Sequence, residues 1–94
     1  MTIENDVEQY LVDQIRQLGG LCWKFTSPGN AGVPDRIVLY NGLTVFVEVK
    51  APGKKLRKLQ EVRVDEIRKQ KVRAGYVDTK EAVDRLVSIL QRGW

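Results

Sequence analysis

Histidine is absent from the 94-residue chain, and there is a single cysteine, Cys22. Without histidine there can be no Ser-His-Asp or Cys-His hydrolase, no imidazole-built zinc site and no nuclease with a histidine base. Any catalysis must run on carboxylates, lysines or a metal ion held by oxygen ligands. One cysteine allows no internal disulfide. No apolar run approaches the ~20 residues that span a bilayer. The acidic opening, MTIENDVEQY, lacks the basic-then-apolar pattern of a secretory signal. The Gly29-Asn30-Ala31-Gly32 segment lacks the spacing of a P-loop or dinucleotide fingerprint, so no nucleotide cofactor is expected. With 43% hydrophobic and 30% charged residues, the chain reads as a globular protein of a reducing cytoplasm without membrane contact. Its length suits one domain, residues 1–94, with a thin core that a dimer would help.

The charge that is present is unevenly placed. Met1 to Gly20 carries four acids and one base, whereas Ala51 to Arg73 carries nine bases and three acids. Such a basic stretch suits a polyanion, because lysines and arginines displace condensed counterions. A solvated helix face would have the same composition.

Periodicity predicts the element order αβββαβα. Ile3, Val7, Tyr10, Leu11, Ile15 and Leu18 form a helical apolar stripe that Gly19-Gly20 ends. Leu21 to Phe25 reads as a strand, and Thr26 to Pro34 as a loop. Arg36 to Tyr40 and Thr44 to Lys50 read as strands joined by Asn41-Gly42, a type I′ hairpin signal. Ala51-Pro52-Gly53 breaks the second of them. A long basic helix is expected over Lys55 to Arg73, aligning Leu56, Gln60, Val64 and Ile67, then a strand over Ala74 to Val77. Thr79 would cap a last helix that turns Val83, Leu86, Val87 and Leu90 inward. The fold class is therefore α/β, with about four strands flanked by helices.

A two-residue hairpin loop fixes register. Val38 then pairs with Val45, Ile37 with Phe46, and Asp35 with Glu48. Directly opposed residues share a face, with Cβ atoms about 5 Å apart. Two carboxylates so placed repel unless a cation offsets them, and oxygen ligands of this type suit Mg²⁺ or Mn²⁺. Lys50 lies two residues beyond Glu48, hence on the same face, while Val45, Val47 and Val49 point to the packed side. Glu-x-Lys alone would more often be an ordinary edge pair. Here it occurs with the Pro34-Asp35 loop, the Asn-Gly register, the break at Pro52 and the basic segment beyond.

Gly32-Val33-Pro34-Asp35-Arg36, Val47-Glu48-Val49-Lys50-Ala51-Pro52-Gly53-Lys54 and Leu59-Gln60 together resemble the PD-(D/E)xK nuclease superfamily. The closest likeness is to its virus-type replication-repair branch, the VRR-NUC domains, and it covers nearly the whole chain. Lys24-Phe25-Thr26-Ser27-Pro28-Gly29 adds a likeness to small stand-alone members. The resemblance implies a restriction-endonuclease-like mixed sheet and metal-assisted hydrolysis of DNA phosphodiesters. Asp35 and Glu48 would ligate the metal, joined by the Val49 carbonyl, and Lys50 would position or deprotonate the water. Gln60 would lie near the centre, and Glu8 would complete the acidic pocket and the metal's ligands. It further implies a homodimer acting on branched DNA such as four-way junctions, in a bacterial cell or from its phage.

The residues by themselves leave several of these positions open. Gln60 could equally be a core glutamine satisfied by backbone. Glu8 could be a solvated helix residue, and Glu4 is its rival. Lys54, Lys55, Arg57 and Lys58, with Lys24, Ser27 and Arg36, are candidates for the DNA backbone, although the four near Lys55 could simply solubilise. Cys22 reads as a small buried hydrophobe. Trp23 and Trp94 are expected in core packing, with a dimer contact as the alternative. A DNA-binding module without catalysis, and a subunit of a replication or repair complex, are the rival functions.

Overall fold

The computed structural model describes residues 3–94; Met1 and Thr2, which fall in the stretch read above for a signal, lie outside it. Seven elements follow in the expected order: α1 (Glu4–Leu18), β1 (Leu21–Lys24), β2 (Arg36–Tyr40), β3 (Leu43–Val49), α2 (Lys58–Lys69), β4 (Arg73–Val77) and α3 (Lys80–Gln91). The four strands form one mixed sheet in the order β1-β2-β3-β4. The first three are antiparallel, and β4 runs parallel to β3 across the α2 connection.

Helix α1 starts with acids, Glu4 and Asp6, that favour the positive end of the helix dipole. Asp6 also accepts a 3.1 Å hydrogen bond from the Ile3 N–H. The helix stops at Gly19, whose φ of 96° is left-handed. The next residue meets the sheet directly: a Cβ on Gly20 would come within 2.8 Å of the Leu39 carbonyl oxygen. Ile3 is not part of the buried stripe. It precedes the helix in extended conformation and is exposed, and Val12 joins the core beside Val7, Leu11 and Ile15.

The β2–β3 hairpin turns on Asn41 and Gly42, both at positive φ. Its ladder runs from Tyr40↔Leu43 through Val38↔Val45 to Arg36↔Val47, which is the register that the two-residue turn predicts. On one face, Val38, Val45, Val47, Val49, Cys22 and Val77 meet Val7, Leu11 and Ile15 of α1 and Val83, Leu86 and Leu90 of α3. This is the main core, and α1 and α3 cover it. Thr79 caps α3 through a 3.0 Å bond from the Ala82 N–H to its hydroxyl.

Helix α2 serves the other face, and it is shorter than the periodicity suggests. Lys55, Leu56 and Arg57 precede it, because the Gln60 amide oxygen accepts the Arg57 N–H at 2.8 Å and sets the start there. At the other end Lys71 takes a left-handed φ of 66°, and Arg73 already belongs to β4. Helix α2 also holds the loop before β2. Arg63 donates to the Ala31 carbonyl at 2.8 Å, and Gly32, at φ 87°, lies so close that a Cβ would meet Leu59 at 2.8 Å. The outer strand β1 has no such cover on this face. Trp23 is therefore 57% exposed and not in the core. Trp94 is exposed as well, with the Arg73 guanidinium 4.9 Å from its ring centre.

Candidate active site

The hairpin places the candidate residues. The last ladder pair is Arg36↔Val47; Asp35 sits in the bend just before β2 and Glu48 just past that pair, so both lie at the open end of the hairpin. The Phe25 N–H donates to the Asp35 carbonyl at 2.9 Å and pins the main chain there. The Asp35 carboxylate accepts a long contact, 3.4 Å, from the Val49 N–H. Alternation then brings Lys50 onto the face of Glu48. Its Nζ lies 3.9 Å from Glu48 Oε2, and both side chains are nearly enclosed. The Lys50 N–H donates to Val77 of β4 at 2.9 Å, so the end of β3 is tied to the sheet on both sides.

From α2, the Gln60 side-chain amide donates to Glu48 Oε2 at 3.3 Å. Gln60 thus serves both suggested purposes: its oxygen caps the helix and its nitrogen reaches the carboxylate. Asp35, Glu48, Lys50 and Gln60 are brought together.

The electrostatics of this cluster are unbalanced. Glu48 is buried, and its pKa is pushed up to about 7, first by desolvation and next by the Asp35 charge, against the opposing pull of Lys50. Asp35 is also raised, by burial and then by the field of Glu8. Two acids held in a site that penalises their charge fit a hard cation that would relieve both. Among the described residues no three acids, cysteines or histidines gather to hold an ion.

Glu8 lies elsewhere. It projects from α1 toward the core-side face, where its Oε2 accepts Arg36 Nε at 2.9 Å and Lys24 Nζ at 3.1 Å. Burial opposes its ionisation, but these two cations outweigh burial and lower its pKa. Both contacts fall on Oε2, and the Glu8 charge still reaches Asp35, whose pKa it helps to raise. Arg36 is likewise engaged, with a second contact of 3.4 Å to the Cys22 carbonyl. Ser27 accepts from Asn30 within the loop. Lys54, Lys55 and Arg57, between β3 and α2, and Lys58, the first residue of α2, are exposed immediately past the cluster. Cys22 is buried.

Two residues near the cluster escaped sequence reasoning. Tyr76 stands beside Glu48 in the parallel ladder and is 40% exposed. Asp78 accepts the Gly53 N–H at 3.2 Å and holds the turn that follows Lys50. An acid directly after a strand was the only available signal for Asp78. Nothing in the sequence set the β3–β4 register.

An antiparallel three-strand meander, a helical crossover to a parallel fourth strand and helices on both faces define the restriction-endonuclease-like class of α/β domain. No family model matches the chain, but solved structures do. The chain belongs to the VRR-NUC family: it is 31% identical to a solved structure described as "VRR_NUC domain", with a TM-score of 0.84 over 94% of this chain and 97% of that one. A second solved structure, "VRR_NUC domain protein", shares the fold at 15% identity and a TM-score of 0.68, covering 95% of this chain and 85% of that one. "Putative nuclease p44" of Acyrthosiphon pisum secondary endosymbiont phage 1 is 55% identical over 53 residues. That match spans 55% of this chain and 57% of the phage protein, little more than half of each. No helix among the described residues is long and apolar enough to cross a membrane.

Proposed function

We propose that this chain is a divalent-metal-dependent endonuclease that hydrolyses DNA phosphodiester bonds, with branched DNA such as four-way junctions as substrate and a homodimer as its working form. The observation that carries this reading is the under-neutralised pair Asp35 and Glu48 with Lys50 Nζ 3.9 Å from Glu48. Membership of a nuclease family supports it.

Asp35, Glu48 and the Val49 carbonyl would hold Mg²⁺ or Mn²⁺. When bound, that ion supplies Lewis-acid polarisation of the phosphoryl oxygen and offsets charge on the leaving oxygen. The chain's own groups do the rest. The Lys50 ammonium donates hydrogen bonds to the attacking water and the phosphate. Gln60 fixes the Glu48 carboxylate so that its second oxygen faces the centre. Lys54, Lys55, Arg57 and Lys58 receive the flanking phosphates, with Lys24, Ser27 and Arg36 bordering the strand on the β1 side. Glu8 acts through its field at Asp35 and by holding Lys24 and Arg36 in place. Two such centres about a two-fold axis would cut a symmetric branch on both strands.

The test is a cleavage panel of linear duplex, single strand, splayed arm, flap and four-way junction, each with Mg²⁺, Mn²⁺ or chelator. Cutting that needs a divalent ion, favours branched DNA and disappears in Asp35→Ala while binding persists is the expected result. Binding without any metal-dependent cutting by the parent protein would leave a basic DNA-binding domain. Sedimentation showing only monomer with DNA present would remove the dimer.

A further inference from the structure

We propose that Trp23 is a stacking platform for an unpaired base of the DNA strand entering the centre, an assignment that rests on the nuclease reading above. Trp23 is in register with Ile37, which is in register with Phe46. Alternation puts all three on the face that carries Glu48, one row further along the sheet. From strand spacings, the Cα atoms of Trp23 and Asp35 are about 8 Å apart.

The ring is free to be used. Phe25, next on the same face, is already packed edge-on to Phe46 at 5.0 Å, and α2 covers β3 and β4 but not β1. Trp23 and Leu21 are left 57% and 46% exposed on an edge strand. A duplex keeps its base faces inside the stack, so only an unstacked nucleotide can offer one to an indole. The ligand is therefore DNA with unpaired nucleotides next to the cut.

The chain has two tryptophans, so Trp94→Phe makes Trp23 the sole indole. In chelator, this protein is titrated with a splayed arm, the same arm with abasic sites replacing its unpaired bases, and a duplex. The splayed arm should quench the indole, and the abasic arm and duplex should not. Trp23→Ala should weaken splayed-arm binding by about tenfold and leave duplex binding within twofold, while Trp23→Phe keeps most of the affinity. Unchanged fluorescence on binding, or equal loss on all three DNAs, overturns the assignment. So does a dimer that becomes monomeric in Trp23→Ala, since the ring then serves a contact between copies. A parent that cuts with metal while Trp23→Ala matches it overturns the stacking alone. A parent that neither binds nor cuts DNA overturns the nuclease reading as well.

Discussion

Glu8 and Glu48 are both nearly enclosed carboxylates at the sheet, on opposite faces, and the chain treats them in opposite ways. Glu8 receives two cations, at 2.9 and 3.1 Å, and its pKa falls. Glu48 receives one ammonium at 3.9 Å and a neighbouring carboxylate, and its pKa rises to about 7. Both lose hydration, so the difference lies in the company each keeps. A fold that can assemble the first cluster could have neutralised the second. On the proposed function the under-neutralised Glu48 is where an outside cation would sit, whereas the Glu8 cluster joins α1 to β1 and β2.

The contrast breaks most clearly in activity. Asp35→Ala or Lys50→Met should remove or sharply reduce cleavage, Lys50→Met by about 10²–10⁴-fold, with the melting temperature held within a few degrees. Glu8→Gln should retain most of its cleavage rate. Cleavage assays beside thermal melts decide it, and the comparison fails if Glu8→Gln is as inactive as Asp35→Ala. In stability the order reverses. Glu8→Gln leaves a nearly enclosed Arg36 without its charged partner and should cost about 1–2 kcal/mol, discounted for the exposure of Lys24.

The two acids also make opposite demands on pH. The folded pKa of Glu48 is raised from 4.5 to about 7. Its proton is thus bound more tightly in the folded chain, and the stability that it contributes is full below 4.5 and lost as pH rises through about 7. Glu8 has a lowered pKa, so its contribution is present above 4.5 and lost as acid protonates it. Glu48→Gln should therefore leave metal-free stability unchanged near pH 4.5 and raise it by about 1–2 kcal/mol at pH 8, after allowance for screening. Added Mg²⁺ or Mn²⁺ should stabilise the parent at pH 8 and leave Glu48→Gln unmoved. Denaturant melts at the two pH values, with and without ion, check both. A variant less stable than the parent at pH 8 would show that Glu48 is not strained.

The part of this contrast that was legible in the sequence was the local part. Asn41-Gly42 dictates a two-residue turn, and the turn sets the ladder down to Arg36↔Val47, which brings Asp35 and Glu48 to the same end of the hairpin and turns Val47 and Val49 toward the core. Gly19 and Thr79 marked helix ends because both act through neighbouring main chain. Positions set by distant elements were not legible. The Glu8 ion pairs depend on how α1 crosses β1 and β2. Tyr76 reaches Glu48 only through a parallel register set across α2. Trp23 reads as core in any short apolar strand, and its exposure follows from α2 covering the other half of the sheet. Helix α2 begins late because its third residue, Gln60, bonds back to Arg57, a choice that periodicity does not record.

Gln60 gives the finest test, because it belongs to both readings that the sequence left open. A donor to a carboxylate favours the charged form, so its 3.3 Å bond to Glu48 should hold the Glu48 titration below where burial alone would place it. Gln60→Leu keeps the size and removes both bonds. The lost cap should cost about 0.5–1 kcal/mol, since the freed Arg57 N–H is near solvent and finds water. The lost donor should move the Glu48 midpoint above about 7, seen by carboxyl carbon resonances, and weaken divalent-ion binding a few-fold at neutral pH. Restoring a donor with Gln60→Asn, too short to span the same gap, should recover neither effect. A purely structural glutamine would give the stability loss without the titration shift, and Glu48 would then keep its protonation behaviour from Asp35 and burial alone.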